Sequence, residues 1–140
     1  MSGQRQAANM KIDHIGYLVK KMDRAIKTFE ALGYRIKQDK VRDEFRKIDI
    51  CFVENDGYVI ELISPYDKDS TVSGLIRKYG NCPYHICYCS DDIDRDIEKM
   101  REAGYLAWDA PLEAPACGNR RVCFLIHPDL GMIELLENRI

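Results

Sequence analysis

Apolar positions along the chain follow two alternating spacings. Residues 12–19 (IDHIGYLV) and 84–89 (YHICYC) are short runs rich in β-branched and aromatic side chains, which predicts strands. Each run gives way to helical spacing: Met22, Ala25, Ile26, Phe29 and Leu32 in the first case, and Ile93, Ile97, Met100 and Ala103 in the second. Ser90, Asp91 and Asp92 are placed to cap the second helix. Gly33 and Gly104 stand where a left-handed residue closes a helix. The words YRI and YLA then open new strands. Downstream, 49–65 is two apolar runs about Asn55-Asp56-Gly57, a hairpin pattern. Residues 121–137 have the same shape about Pro128-Asp129-Leu130-Gly131. Between them, Ser70 can cap a short helix carrying Val72, Leu75, Ile76 and Tyr79 and stopped by Gly80, whereas 109–120, with two prolines and a glycine, reads as a loop.

These patterns occur twice because the chain repeats itself. Residues 13–36 align with 84–107 at a constant offset of 71, and 8 of the 24 pairs are identical, including His14/His85, Tyr17/Tyr88, Asp23/Asp94 and Gly33/Gly104. Glu61 and Glu134 match at an offset of 73, two more than the upstream offset, so about two residues are inserted between the halves of the repeat. The predicted unit is βαβββ, used in tandem. Module one spans 11–65, a linker 66–82 and module two 83–138, together one domain over 10–140. The polar, aperiodic residues 1–9 read as a disordered or expression-derived extension, with Met10 as the natural start.

Composition narrows the function classes. Net charge is −2 and no Lys/Arg run stands out, which argues against nucleic acid. The apolar runs are far too short to span a membrane. Residues 1–9 lack the apolar core of a secretory signal, so a cytoplasmic chain with reduced thiols is expected. Cys87-x-Cys89 has strand spacing, not the two-residue gap of a zinc knuckle, and the six cysteines read as small buried apolar residues; Cys87 and Cys89 share a strand face with His85.

The candidate chemistry lies in polar residues that interrupt apolar strands. Glu61 shares a face with Val59 and Ile63, and Glu134 with Met132 and Leu136. A buried carboxylate is unfavourable unless paired or bound to a metal. The chain places one in each module, and each module also has one histidine inside its first strand, His14 and His85. Taken singly, each would be read as structural. As repeat-related pairs they predict one site on a pseudo-twofold axis. Two imidazoles and two carboxylates suit a divalent first-row metal with positions left for substrate. His127, in the turn word HPDLG, has no mate in the first repeat and reads as a loop residue.

Paired βαβββ units with one His and one Glu each resemble the vicinal oxygen chelate superfamily, which includes glyoxalase I, extradiol dioxygenases and bleomycin resistance proteins. The resemblance covers 11–138. It implies an α+β fold in which two modules form a curved mixed sheet, a cup around one metal. It also implies the ligand set His14, Glu61, His85 and Glu134. The words DHIGYLV, ELISPYDKDSTVSGLIRKYG, YHICYCSDDID and GNRRVCFLIHPDLGMIELLE are most like methylmalonyl-CoA epimerase, although that group often has two successive histidines where this chain has Tyr84-His85. The likeness implies a metal-dependent isomerase that abstracts a proton α to a carbonyl. Its cofactor would be one divalent ion (Co, Ni, Mn, Zn or Mg), its substrate an acyl-CoA thioester, and its assembly a homodimer. Glu134 would be the catalytic base, with Asp49 as a second carboxylate, and Asn119, Arg120 and Arg121 would bind an anionic substrate group. The alternatives are a lactoylglutathione lyase acting on a thiol hemithioacetal, and a small-molecule binding or resistance protein.

Overall fold

The structure, a computed structural model, describes residues 10–138, so the reading of residues 1–9 lies outside it. The first half forms β1 (Ile12–Leu18), α1 (Met22–Ala31), β2 (Arg35–Asp43), β3 (Ile48–Asn55) and β4 (Tyr58–Pro65). After α2 (Ser73–Tyr79), the second half forms β5 (Cys82–Ser90), α3 (Ile93–Glu102), β6 (Leu106–Ala107), β7 (Leu112–Ala114), β8 (Arg120–His127) and β9 (Gly131–Glu137).

All nine strands join one curved open sheet in the order β2-β3-β4-β1-β5-β9-β8-β6, with β7 beside the first half of β8. The seam is antiparallel, β1 on β5, and each seam strand runs parallel to the last strand of its own half, β1 to β4 and β5 to β9. The sheet is therefore mixed, as the tandem repeat predicts. Both ends are protected from further pairing: β2 is largely exposed and rich in charge, and β6 is only two residues long.

The period-two alternation of the strands sorts residues between two faces. On the outer face, α1 packs Met22 and Ile26 onto Cys51, Val53, Ile60 and Leu62. α3 packs Ile93 and Ile97 onto Cys123, Leu125, Ile133 and Leu135 in the same way. Burying a leucine such as Leu62 or Leu135 contributes about 1.5–3 kcal/mol over leaving it in water. The inner face carries a third apolar cluster that includes Leu18, Ile50, Ile63, Val122 and Leu136, covered by Val72 and Ile76 at the start of and within α2. Glu61 and Glu134 are on this inner face, between residues of that cluster.

The local signals work at several predicted positions. Gly33 and Gly104 have φ of 103° and 100° just past their helices. Asp92 caps α3 and accepts from the Arg95 amide at 3.2 Å, while the Ser90 hydroxyl turns to Asp96 and Asp91 accepts from Asn138. α2 begins after Val72, not at Ser70; the Ser70 hydroxyl accepts from the Val72 amide at 3.3 Å and donates to the Arg46 carbonyl at 2.8 Å.

The segment 109–120 departs from its reading as a loop. It contains β7 and one 3-10 turn, Pro115–Cys117, and buries Ala114, Ala116 and Cys117. The prolines that suppress the strand signal lie just outside β7, where no ladder amide is needed. Gln38 on β2 donates to the Ala116 carbonyl at 2.9 Å, which ties the first half to the second at the rim of the cup.

Candidate metal centre

His14, Glu61, His85 and Glu134 converge on one point, with one ligand atom from each lying within 4.8 Å of all the others. All four are at most 5% exposed. The seam explains the convergence. In the β1/β5 register His14 lies opposite Cys87 and His85 opposite Gly16. Glu61 and Glu134 enter from the flanking parallel strands, where Glu61 is level with Gly16 and Glu134 with Cys87.

The two histidines face the same carboxylates. His14 Nε2 is 3.2 Å from Glu61 Oε1 and 3.1 Å from Glu134 Oε1. His85 Nε2 is 3.6 Å and 3.0 Å from the same two oxygens. Each ring packs edge-on against a phenylalanine of its own half, His14 on Phe52 at 5.4 Å and His85 on Phe124 at 5.2 Å between centroids. These phenylalanines hold the rings upright, and the sequence carries a sign of them that was missed: the dipeptide Cys-Phe occurs at 51–52 and again at 123–124.

The halves differ one shell out. His14 Nδ1 is 2.8 Å from Asp13 Oδ2, which orients the ring with Nε2 toward the cluster. The repeat mate of Asp13 is Tyr84, whose ring lies edge-on to His85 at 4.5 Å and offers no carboxylate. Burial opposes a charged His14. The Glu61 carboxylate and hydrogen bonds to Asp13, Cys87 and Glu134 outweigh it and hold the pKa well above the ordinary imidazole value. Burial would also raise Glu134, but electrostatic attraction to the neighbouring His85 and His14 rings and the hydrogen bond with His14 keep it ionised, below the usual carboxylate range.

The residues fit a divalent cation. Both ring nitrogens of His85 are buried without a hydrogen-bond partner among the described residues, Glu134 being near but out of line. Such an unpaired group costs about 1–3 kcal/mol, and a cation that takes the Nε2 lone pair removes that cost for Nε2. Two carboxylates balance the charge of a divalent ion, and two imidazoles with two carboxylates are ligands that first-row metals accept.

Beside the cluster lies a cavity of about 130 Å³. Glu61, Glu134, Tyr84 and Met132 are on its wall, with Phe124, Trp108 and the inner aliphatic residues. The Tyr84 hydroxyl stays protonated, because burial and then the Glu61 and Glu134 charges push its pKa well up.

The remaining expected site residues do not reach this cavity. Asp49 projects from the opposite face of β3 from Ile48 and Ile50, which line the cavity; it is held by Arg42 at 2.8 and 3.0 Å. Arg121 also faces outward, bound to Asp94 and Glu137. Arg120 is on the inner face, but its Nε donates to the Cys117 carbonyl at 2.9 Å and the residue is not on the cavity wall. Asn119 takes a left-handed φ of 60° and closes the turn by donating its amide to Ala114. His127, read as a loop residue, is instead the last residue of β8, paired with Gly131; its ring lies against Tyr105 and accepts from the Asp129 amide at 3.0 Å. All six cysteines are free; Cys117 lines the cavity and Cys87 lies beneath His14. The cavity wall holds instead a pair the sequence reading passed over, Asp43 and Arg46.

Comparison with known proteins bears on this geometry. Residues 13–124 match the family profile described as the Glyoxalase/Bleomycin resistance protein/Dioxygenase superfamily. The chain belongs to that superfamily. No functionally curated protein matches it in sequence. Among solved structures, a hypothetical protein from Bacillus halodurans C-125 superposes with a TM-score of 0.84 at 23% identity, over 95% of this chain and 97% of that one. Methylmalonyl-CoA epimerase from Mycobacterium tuberculosis gives 0.79 at 23% identity, over 92% and 88%. A variant of the Streptomyces coelicolor epimerase, in complex with 2-nitronate-propionyl-CoA, gives 0.81 at 22% identity, over 95% and 100%. At these identities the likeness establishes the glyoxalase-like fold. No helix among the described residues of this superfamily member is long and apolar enough to cross a membrane.

Proposed function

We propose that the chain is a divalent-metal-dependent isomerase that removes a proton α to a carbonyl, acting on an acyl-CoA thioester in the manner of methylmalonyl-CoA epimerase. The observation that carries this reading is the buried His14, Glu61, His85 and Glu134 cluster opening onto a single cavity. A divalent ion bound by these four residues supplies Lewis-acid stabilisation of the negative charge that develops on the substrate carbonyl oxygen. That charge is largest in the transition state, where stabilisation speeds the reaction.

Glu134 is the base. Its carboxylate is ionised, it lines the cavity, and it takes the α-proton while the C–H electron pair passes into the carbonyl. Return of a proton to the opposite face needs a second group. Asp49 faces the wrong way, and of the two hydroxyl residues on the cavity wall, Tyr84 and Thr71, Tyr84 is the one packed against His85 of the cluster. The apolar wall excludes water from the carbanionic centre.

The position of Asp49 also favours a second reading. A lactoylglutathione lyase-type reaction on a thiol hemithioacetal moves a proton between adjacent carbons with one base, and Glu134 alone suffices. One experiment separates the two. The protein is loaded with Co²⁺, deuterium exchange from solvent into methylmalonyl-CoA is followed, and methylglyoxal is assayed with glutathione and other thiols. Absence of exchange with metal bound sinks the epimerase reading; turnover of a hemithioacetal supports the other.

A further inference from the structure

Arg46 is the one lysine or arginine among the described residues on the cavity wall. It is held unusually firmly for a residue in a turn. Its amide donates to Asp43 Oδ1 at 3.0 Å, and its Nη1 donates to Asp43 Oδ2 at 2.7 Å. Its carbonyl accepts from the Ser70 hydroxyl at 2.8 Å. Nη1 also lies 3.5 Å from the Glu113 carbonyl, so β7 of the second half meets this corner of the first. The Asp43 side chain is 2% exposed and that of Arg46 14%. A buried carboxylate of this kind is retained only with its partner, and it fixes the guanidinium in one orientation.

The Nε and Nη2 edge of the guanidinium makes no hydrogen bond to any described residue. That edge is a planar, two-donor fork matched to a carboxylate. The rest of the wall is mainly aliphatic and aromatic, so an anion there has little water to compete with.

We propose that Arg46, preorganised by Asp43, is the subsite for a carboxylate carried by the substrate, so that the cavity selects acyl compounds bearing a second, anionic group. This deepens the reading of the site as an α-proton isomerase and rests on it for the rest of the substrate. It replaces Arg120 and Arg121 as the anion-binding residues.

The test is NMR of the arginine Nε–H groups in the full chain loaded with Zn²⁺, titrated with methylmalonate and separately with inorganic phosphate. Arg46→Lys assigns the signal by its loss. The Arg46 signal is expected to shift saturably with methylmalonate while the other arginine signals stay in place. A signal that does not move, or that moves with phosphate and not with methylmalonate, overturns the proposal. The double variant Asp43→Asn with Arg46→Gln removes both charges without stranding one. It should weaken methylmalonate binding about tenfold or more; unchanged affinity also overturns the proposal. Neither measurement requires turnover. Failure of deuterium exchange with the Arg46 shift intact therefore rejects the isomerase reading alone, and exchange with an unmoved Arg46 signal rejects the subsite alone.

Discussion

The backbone of Gly16 lies directly beneath the imidazole of His85. A Cβ built on residue 16 would overlap three atoms of that ring, Cε1, Nδ1 and Nε2. Gly16 does not adopt a positive φ, so its backbone suits any residue and only the ring demands a glycine. Gly16→Ala should tilt His85 out of the cluster and lower Co²⁺ affinity about 10–100-fold, the range seen when support around a metal ligand is lost. Visible absorption during Co²⁺ titration reads this. An unaltered spectrum and affinity would show that the ring has room to give.

Metal uptake should expel a proton. His14 in the metal-free protein titrates well above 6.5, so at pH 7 the imidazolium sits between Glu61 and Glu134. A metal must displace that proton, so apparent affinity rises with pH. The sign for stability is opposite: the raised pKa favours the metal-free fold fully below 6.5, and this is lost as pH climbs through the folded value. Calorimetry in two buffers of different ionisation enthalpy counts the protons released. The expected result is about one or more per ion.

Glu134 and Asp49 should behave differently on amidation. Glu134→Gln removes the proposed base and a ligand oxygen, and deuterium exchange should fall by about 10²–10⁴-fold. Asp49→Asn only loosens an ion pair with Arg42 on the outer face, so exchange should stay within about twofold, since exposed pairs contribute little. Equal losses in the two variants would return Asp49 to the mechanism.

Much of this site could be read in the sequence, and the residues that escaped show why. His14, Glu61, His85 and Glu134 announced themselves because each is a polar residue inside an apolar strand and each has a mate at the repeat offset. The sequence offered Arg120 and Arg121 together, yet neighbours on a strand face opposite sides, and 121 falls with residues 123 and 125 on the outer face while 120 lies on the inner one. Asp43 and Arg46 stand in the charged stretch RDEFRK, where nothing local reveals that α2 and β7 will fold over that turn. β7 itself was hidden by its flanking prolines.

Alkaline pH should weaken the fold. Burial pushes the thiols of Cys51 and Cys123 up to about 11 and that of Cys117 to about 12, from an ordinary 9.0. A raised folded pKa gives stability that is complete below 9.0 and fades as pH rises through 11 to 12. Melting temperature should fall across that window, and the same thiols should resist iodoacetamide at pH 8 in the folded chain. Rapid labelling of Cys117 at pH 8 would contradict this.

Asp13 and Tyr84 occupy equivalent places in the two copies, yet Asp13 hydrogen-bonds its histidine while Tyr84 only packs against its own, whose ring nitrogens have no hydrogen-bond partner among the described residues. Two identical half-sites would look alike to a ligand approaching in either of two orientations related by the axis. This difference breaks the equivalence. The duplicated scaffold thereby gains handedness: it can tell which way round a molecule has entered, which neither copy of the repeat could do alone.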